Sequence, residues 1–167
     1  MIEVSENIFP ANIVGPLATA MRTVDPDVSV FKRPLRPKDP VQSIGVSATN
    51  WVPNEDSYEF KKQGDEPGPS TPTLATYVLA VQAFVRHAVE EEGLNIHSVL
   101  SHRVRSVLYT YQPLQLVLAS LYATRPDGKT ERVGRWGVRG ARYFGNEIDG
   151  ENLYLSTLEF WVETITQ

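Results

Sequence analysis

The sequence predicts an α/β fold of the α+β type, with a mixed, largely antiparallel sheet of long strands and two main helices packed on it. Three observations predict this class. The C-terminal third alternates apolar and polar residues over long runs that short turn signals separate. Two segments, 13–24 and 96–110, repeat apolar residues at helical spacing. The length of 167 residues, 41% of them hydrophobic, suits a single domain over residues 1–167 with one core.

The N-terminal part is predicted to contain an arm, one helix and two strands. Residues 1–9 form the arm. The helix over 13–24 has Pro16 in its first turn, where proline is tolerated because the first N–H groups have no helical partner. Alternating apolar residues predict strands over 28–33 and 42–51.

Two loops are predicted beside these strands. Residues 34–40 contain three prolines in seven positions and are expected to be extended. Residues 53–72 are the most polar segment and are expected to form an extended polar loop. Unstructured stretches of that length in a small domain are usually functional or disordered. Two interpretations stay open: a surface loop without a role, or an arm that becomes ordered on a partner.

The next elements are a strand and the second helix. Residues 73–86 fit either a helix or a strand, and their Tyr, Val and Phe content favours a strand. Residues 90–93 are predicted to be a polar connection. The second helix is expected over 96–110, with Asn95 as its N-cap and Pro113 ending it.

Three more strands complete the predicted sheet. Residues 114–124 are apolar on both faces, which predicts a central strand. A tight-turn signature at 125–129 leads into a long strand over 130–144, and a second turn over 145–152 leads into the last strand over 153–166. The core is expected where the second helix meets the last strand, with Leu100, Val104, Val107 and Leu108 against Leu158, Phe160 and Val162.

The residue inventory argues against several chemistries. The chain has no cysteine, which excludes disulfides, thiolate metal sites and a thiol nucleophile. No metal, phosphate-loop, dinucleotide or nucleophile-elbow motif occurs, and glycines inside the 130–144 strand more often mark bulges or close backbone approach. We therefore expect no enzyme, no metal and no cofactor. A basic leader and a continuous apolar span are both missing, so we expect no secretory signal and no membrane helix.

Charge is the most informative pattern because it is segregated along the chain. Residues 129–142 have a net charge of +4, residues 143–167 carry five acids and no base, and the whole chain is at −4. The candidate contact residues are Arg132, Arg135, Arg139, Arg142, Glu55, Asp56, Glu59, Glu147, Asp149 and Glu151. Strict alternation would place Arg135 and Arg139 on one face of their strand. Arg132 and Arg142 would then lie on the other face.

Three interpretations of the charge blocks stay open. The basic strand could bind nucleic acid, with Trp136 and Tyr143 as stacking platforms. The positive block of one subunit could meet the negative block of the next in a head-to-tail assembly. Alternatively, neighbouring antiparallel strands could pair their charges within one chain.

The run from Glu66 to the C-terminus carries a family resemblance that covers about 60% of the chain. Its residues are Glu66-Pro67, Pro72-Thr73-Leu74 and Tyr77; His97-Ser98-Val99-Leu100-Ser101, Val104-Arg105 and Leu108; Glu131-Arg132, Arg135-Trp136-Gly137-Val138-Arg139 and Asn146-Glu147-Ile148; and Leu153-Tyr154-Leu155-Ser156-Thr157-Leu158-Glu159-Phe160. In these runs the chain resembles the tail terminators of long-tailed, siphovirus-type actinobacteriophages.

The resemblance implies a non-enzymatic virion protein with an α/β fold. Such a protein forms a six-subunit ring on the head-proximal end of the tail tube, stops tube polymerisation and provides the head–tail joining surface. The implied partners are further copies of the chain, the tail tube protein and a head-completion or neck protein. DNA would pass the lumen without specific binding, and no cofactor or membrane is involved. The alternative is a nucleic-acid-binding protein or another neck or head-completion protein.

Overall fold

A computed structural model describes residues 2–4, 8, 10–53 and 73–167 of the chain. The strands are β1 (Ile2–Val4), β2 (Ser29–Phe31), β3 (Gln42–Pro53), β4 (Thr73–His87), β5 (Leu121–Thr124), β6 (Thr130–Ile148) and β7 (Glu151–Thr166). The helices are α1 (Pro10–Met21), α2 (Glu90–Thr110) and α3 (Gln112–Ser120). The strands form one sheet in the order β1-β5-β6-β7-β4-β3-β2. The predicted fold class is confirmed.

The sheet is antiparallel in its long strands and parallel only at its short ones. Strands β3, β4, β7 and β6 pair antiparallel, whereas β1 runs parallel to β5 and β2 runs parallel to β3. Strand β4 pairs with β7 along its whole length, from Thr73 opposite Thr166 to His87 opposite Asn152. The strand interpretation of 73–86 is therefore correct. Its apolar residues are buried on both faces, as Val81 and Phe84 show, because β4 lies in the interior of the sheet.

The three helices pack on one side of the sheet, which we call the helix face; the opposite side is the open face. The odd-numbered residues of β4 and the even-numbered residues of β7 point into the core with the helices. The predicted core is confirmed: Leu100, Val104, Leu108, Leu158, Phe160 and Val162 are buried in one cluster, and Val107 packs against it half-buried. Phe160 is the largest side chain with no exposed surface.

The strand predicted over 114–124 is wrong in its first part. Residues Gln112–Ser120 form α3, and only Leu121–Thr124 form a strand. Pro113 lies in the first turn of α3, where its missing N–H removes no helical hydrogen bond. Leu114 and Leu118 are buried four residues apart while Leu116 is 61% exposed, which is helical periodicity that a count of apolar residues does not reveal.

The helix bounds also differ from the predicted ones. Helix α1 runs from Pro10 to Met21, and proline is favoured at a first helical position, so the helix begins three residues early and carries Pro16 in its interior. The predicted connection at 90–93 is the first turn of α2, whose glutamates suit the positive end of the helix dipole. Asn95 lies inside this helix, and its N-cap position is Val89 without a side-chain cap bond.

The N-terminal segment predicted as an arm over 1–9 contributes strand β1, which pairs with β5. A buried carboxylate holds the described residues that follow. Glu131 accepts hydrogen bonds from the Ile8 N–H at 3.0 Å, the Tyr77 hydroxyl at 3.0 Å and the Thr164 hydroxyl at 2.7 Å. Three donors satisfy this carboxylate inside the sheet and fix the chain beside β6.

The proline-rich loop predicted over 34–40 lies on the open face beside β3 and β4. Arg33 donates two hydrogen bonds to the Asp39 carboxylate, at 2.9 and 2.7 Å, and these lower the pKa of Asp39 to about 2. The Leu35 N–H donates to Gln82 at 3.0 Å. A Cβ at Gly45 would lie 2.7 Å from the Arg33 carbonyl oxygen, so the loop needs a glycine beneath it. Residues 54–72, which hold most of the predicted polar loop, lie outside the described residues.

The turn predicted over 145–152 is much shorter than expected. Strand β6 continues to Ile148 and β7 begins at Glu151, so only Asp149 and Gly150 form the turn. Both have positive φ, 54° and 78°, as a two-residue type I′ hairpin requires. The long hairpin that results carries most of the candidate residues.

Candidate assembly surface

Two bulges decide where the arginines of β6 point. The pairing of β6 with β7 shifts at Gly134 and again at Gly140, and neither glycine has an opposite residue. Each bulge adds one residue to the strand, which reverses the alternation of faces beyond it. Gly140 has a φ of 61°, a left-handed conformation that glycine adopts without strain. At a third glycine, Gly137, a Cβ would lie 2.8 Å from the Trp161 ring, so this position marks a close approach.

The four arginines consequently share one face. They lie opposite odd-numbered residues of β7, in the pairs Arg132–Ile165, Arg135–Glu163, Arg139–Glu159 and Arg142–Thr157. Since the even-numbered residues of β7 face the core, all four lie on the open face. The prediction that Arg132 and Arg142 lie on the other face from Arg135 and Arg139 is wrong, because it assumed a strand without bulges. We call these four residues the arginine row.

The two inner arginines of the row are paired within the chain. Arg135 donates two hydrogen bonds to Glu163, at 2.8 and 3.2 Å, and these raise the pKa of Arg135. Arg139 contacts Glu159 at 3.1 Å. Pairing between neighbouring strands is therefore the correct interpretation for these two. Arg132 and Arg142 are exposed and form no ion pair with any described residue.

The acidic candidates lie away from the row. Glu147 and Asp149 are exposed at the tip of the hairpin, and Glu151 pairs with Arg86 on β4 at 2.7 Å. Among the described residues, none of these three acids pairs with the arginine row. The other three acidic candidates, Glu55, Asp56 and Glu59, lie outside the described residues.

Strand β6 also presents a long free edge. Strand β5 pairs only with Thr130–Arg132, so residues 133–148 have no strand partner on that side among the described strands. Unpaired N–H and C=O groups make such an edge a template for another strand. Three large apolar side chains are exposed along it: Tyr143 at 57%, Phe144 at 55% and Ile148 at 45%. No local sequence pattern indicates this edge, because pairing partners are not encoded locally.

Backbone hydrogen bonds identify the residues of β6 whose N–H and C=O groups point away from β7, towards the free edge. Thr130 and Gln167 exchange N–H···O bonds of 2.8 and 3.0 Å, so odd-numbered residues of the last strand bond to β6. The β6 residues opposite even-numbered partners, including Ala141, Tyr143 and Gly145, therefore direct their N–H and C=O groups to the free edge.

The opposite side of the sheet has a second free edge. Strand β2 pairs only with Ser43–Gly45, so residues 46–53 of β3 have no partner on their outer side among the described strands. The sequence of this stretch is uncharged. The sheet thus presents two unlike edges, one bordered by the arginine row and one without charge.

The geometry separates the groups that nucleic-acid binding would need together. Trp136 lies on the helix face and packs half-buried against the core. Tyr143 lies on the same face, with its ring 5.5 Å from that of His97. The arginine row lies on the opposite face, and two of its four charges are already paired. The described part of β6 does not interleave basic groups with these two rings.

A small polar pocket lies beside the hairpin on the helix face. His97 is buried there, and burial lowers its pKa. Its Nε2 lies 3.4 Å from the Ser101 hydroxyl, which in turn lies 2.9 Å from the Ser156 hydroxyl. The pocket encloses about 230 Å³ and is also lined by Arg105 of α2 and Ala141 of β6. The spacing of His97 and Ser101, one helical turn apart, is the signal that could have pointed to it.

Among the described residues, no group of three or more His, Asp or Glu side chains is placed to hold a metal ion. No described helix has the length and apolar character needed to cross a bilayer.

Comparison with known proteins finds a distant likeness in structure. No protein-family model matches the chain, and no curated protein matches it. One chain from a solved structure described as the virion of a native gene transfer agent particle aligns with 12% sequence identity and a TM-score of 0.46. The alignment covers 93% of this chain and 94% of that one. A likeness at this distance does not assign a function.

Proposed function

We propose that this chain is a structural virion protein that forms a ring on the head-proximal end of a phage tail tube, ends tube polymerisation and provides the head–tail joining surface. One observation carries the assembly part of the proposal: among the described strands, the sheet has two unlike edges without a strand partner, with exposed apolar side chains and the arginine row beside one of them. The family resemblance of the C-terminal sequence supplies the place in the virion.

Two unlike edges favour a head-to-tail arrangement. When one surface of a subunit binds a different surface of the next, the contact repeats, and it closes into a ring if the rotation permits. A two-fold dimer would instead use the same surface twice. The resemblance specifies closure at six subunits, and the tail tube protein and a head-completion or neck protein are the proposed partners above and below the ring.

The charges are proposed to set register between subunits. Arg132 and Arg142 are exposed and available to a neighbour, whereas the ion pairs of Arg135 and Arg139 would have to be shared or exchanged. The acids of the neighbour are Glu147, Asp149 and Glu151 at the hairpin tip, or Glu55, Asp56 and Glu59. Exposed pairs contribute about 0–1 kcal/mol each, so they select partners more than they add affinity.

The charge balance also suits a conduit for DNA. Phosphates bind basic surfaces strongly, and a basic lumen would slow passage. The chain carries a net charge of −4, and two of the four arginines in its most basic strand are neutralised by neighbouring glutamates. DNA would therefore pass without specific binding.

The experiment that tests this function measures the mass of the assembled protein and its ability to cap growing tail tubes. The purified chain is measured by light scattering, imaged by electron microscopy, and added to polymerising tail tube protein. We expect six-subunit rings, free or seated on tube ends, and shorter tubes. A protein that stays monomeric, leaves tube length unchanged and binds DNA in a salt-dependent way would favour the nucleic-acid-binding alternative.

A deletion tests the polar segment in the same assay. We expect removal of residues 55–68 to leave the fold intact, because a stretch so polar cannot bury a core of its own, and to impair attachment to tubes. Circular dichroism and tube co-sedimentation measure the two effects. A variant that does not fold would place the segment in the core and contradict its role as a contact arm.

A further inference from the structure

The small polar pocket between α2 and the hairpin has the build of a ligand site. We propose that it binds a phosphate group that still carries one proton, as inorganic phosphate or as the phosphate of a small monoester. The pocket lies on the helix face, opposite the arginine row, and the proposed ring makes no use of it. The proposal therefore stands apart from the proposed function.

Three polar side chains from two elements meet in this pocket. His97 of α2 is 3% exposed, Ser156 of β7 is 8% exposed, and Ser101 of α2 is half-buried between them. The two serine hydroxyls lie 2.9 Å apart, and the Ser101 hydroxyl lies 3.4 Å from Nε2 of His97. Burying polar groups is costly, and a few of them converging on a cavity are typical of a small-molecule site.

The imidazole of His97 presents a hydrogen-bond acceptor to the pocket. Burial lowers the pKa of His97, and a hydrogen bond from the ring to the Ala83 backbone opposes this only in part. The ring is therefore neutral at pH 7, with one nitrogen as a donor and the other as an acceptor. The Ala83 backbone takes the donor, which leaves Nε2 as the acceptor. Its 3.4 Å distance from the Ser101 hydroxyl is longer than a well-formed hydrogen bond, so Nε2 lacks a close donor.

A positive charge borders the same pocket, and no acidic side chain does. Arg105 follows Ser101 by one turn of α2 and lines the pocket. Arg105 is exposed and forms no ion pair with a described residue. None of the described residues that line the pocket is acidic. The rings of Tyr143 and Tyr154, 5.5 and 6.0 Å from the His97 ring, complete the surroundings of the imidazole. The charge at the pocket thus favours an anion.

The donors and acceptors of the pocket narrow the class of anion. Arg105 only donates, the serine hydroxyls donate or accept, and Nε2 of neutral His97 only accepts. An ionised carboxylate only accepts, and so does sulfate at neutral pH, so neither supplies a hydrogen for Nε2. A phosphate monoester has a second pKa of about 6, so near that pH it offers a P–O–H donor beside its anionic oxygens.

Size and nucleic-acid chemistry agree with this choice. The pocket encloses about 230 Å³, which is below the roughly 300–1,000 Å³ of sites for drug-sized molecules and suits a group as small as phosphate. The phosphodiesters of a DNA backbone carry no proton at neutral pH, so they leave Nε2 without a donor as sulfate does. The pocket therefore discriminates against the backbone of passing DNA.

Titration with phosphate and sulfate tests the proposal. The full-length protein is titrated with each ion at about pH 6.5 and equal ionic strength, and the NMR signals of the His97 imidazole are followed. We expect saturable shifts with inorganic phosphate and binding about tenfold weaker or less with sulfate, because sulfate leaves a buried acceptor unpaired. Methyl phosphate distinguishes the two sources: binding as tight as that of inorganic phosphate assigns the site to monoesters as well, and no binding restricts it to the free ion.

Two arginine variants on the same helix give a matched comparison. Arg105→Gln removes the charge beside the pocket and should weaken phosphate binding about tenfold. Arg103→Gln makes the same change two residues away, where the side chain pairs with Asp25 and does not line this pocket, and should leave binding unchanged. Both arginines are exposed, so both variants should fold, which circular dichroism checks.

Two results would overturn the proposal. Equal binding of phosphate and sulfate, weakened to the same extent by both arginine variants, would show a general attraction of anions to surface charge. No saturable shift with phosphate would show that His97, Ser101 and Ser156 form an internal polar cluster that only joins α2 to the hairpin. Neither result bears on the ring, which mass measurement and tube capping test separately.

Discussion

The centre of the sheet and its outer hairpin strand β6 are both built by backbone pairing, but they differ in burial and in regularity. Strands β4 and β7 pair over fifteen positions without a register break, and β4 is buried on both faces. Strand β6 is interrupted by two bulges, and its residues 139–150 are exposed throughout, turn included. Pairing with a neighbour therefore does not by itself make a strand part of the core. The centre holds the fold, whereas the described strands leave residues 133–148 of β6 without a partner on one side.

Replacing a buried phenylalanine should destabilise the protein far more than replacing an exposed one. Phe160→Ala in β7 should cost about 3–5 kcal/mol of unfolding free energy, because the ring is completely buried and its loss leaves a cavity. Phe144→Ala in β6 should cost less than about 0.5 kcal/mol, because that ring is 55% exposed. Urea denaturation of both variants measures the contrast. Equal losses would mean that the hairpin belongs to the cooperative core.

The bulge at Gly140 should depend on its glycine for stability. Gly140→Ala should cost about 1–2 kcal/mol, since a residue with a Cβ is strained at its φ of 61°. Gly145→Ala is the control, because that glycine is exposed and not among those with positive φ. Thermal unfolding of the two proteins gives the comparison. If Gly140→Ala is as stable as the control, the bulge does not depend on glycine.

The buried imidazole of His97 should make the stability of the protein depend on pH. Burial lowers the pKa of His97 from 6.5, so the folded protein binds this proton more weakly than the unfolded chain. Stability should be constant with respect to His97 above about pH 6.5 and fall as the pH drops towards the lowered value. Unfolding measured from pH 8 to 5 should show this slope. It should disappear in His97→Gln and persist in His102→Gln, an exposed control.

The two ion pairs of the arginine row should contribute unequally, and only slightly, to the melting temperature. Glu163→Gln should lower the melting temperature more than Glu159→Gln. The Glu163 side chain is 9% exposed and holds Arg135 through two bonds, whereas the Glu159 side chain is 40% exposed. The Glu159 contribution should also vanish first in high salt, because exposed pairs are screened. The reverse ranking would contradict the burial argument.

Much of this architecture follows from local patterns, and the errors have physical causes. The last strand and the stripe of α2 were predictable because burial on one face leaves a periodic signal. Helix α3 was missed because a short helix with Leu116 exposed between two buried leucines resembles a strand buried on both faces. Pro113, in the first turn of α3, is equally compatible with the end of one helix and the beginning of the next.

The sequence locates the arginines of the candidate surface along the chain and does not give their geometry. The arginines were identified from charge alone, and glycines inside their strand were expected to mark bulges or close approach, which Gly134, Gly137 and Gly140 do. Which face each arginine takes depends on how many bulges lie between them, and that is decided by pairing with β7. The free edge depends in the same way on how far the short strand β5 extends.

The bulges also shape the free edge of β6. Residues 131–148 of β6 pair with residues 151–166 of β7, which is 18 residues opposite 16, so the hairpin cannot stay flat. Bulges bend a strand and increase its local twist. A flat extended peptide or an aggregating strand cannot follow such a curved rim along its length, whereas a strand of matching curvature can. The two glycines thus make the exposed border of this sheet selective, because they limit the set of chains that fit it.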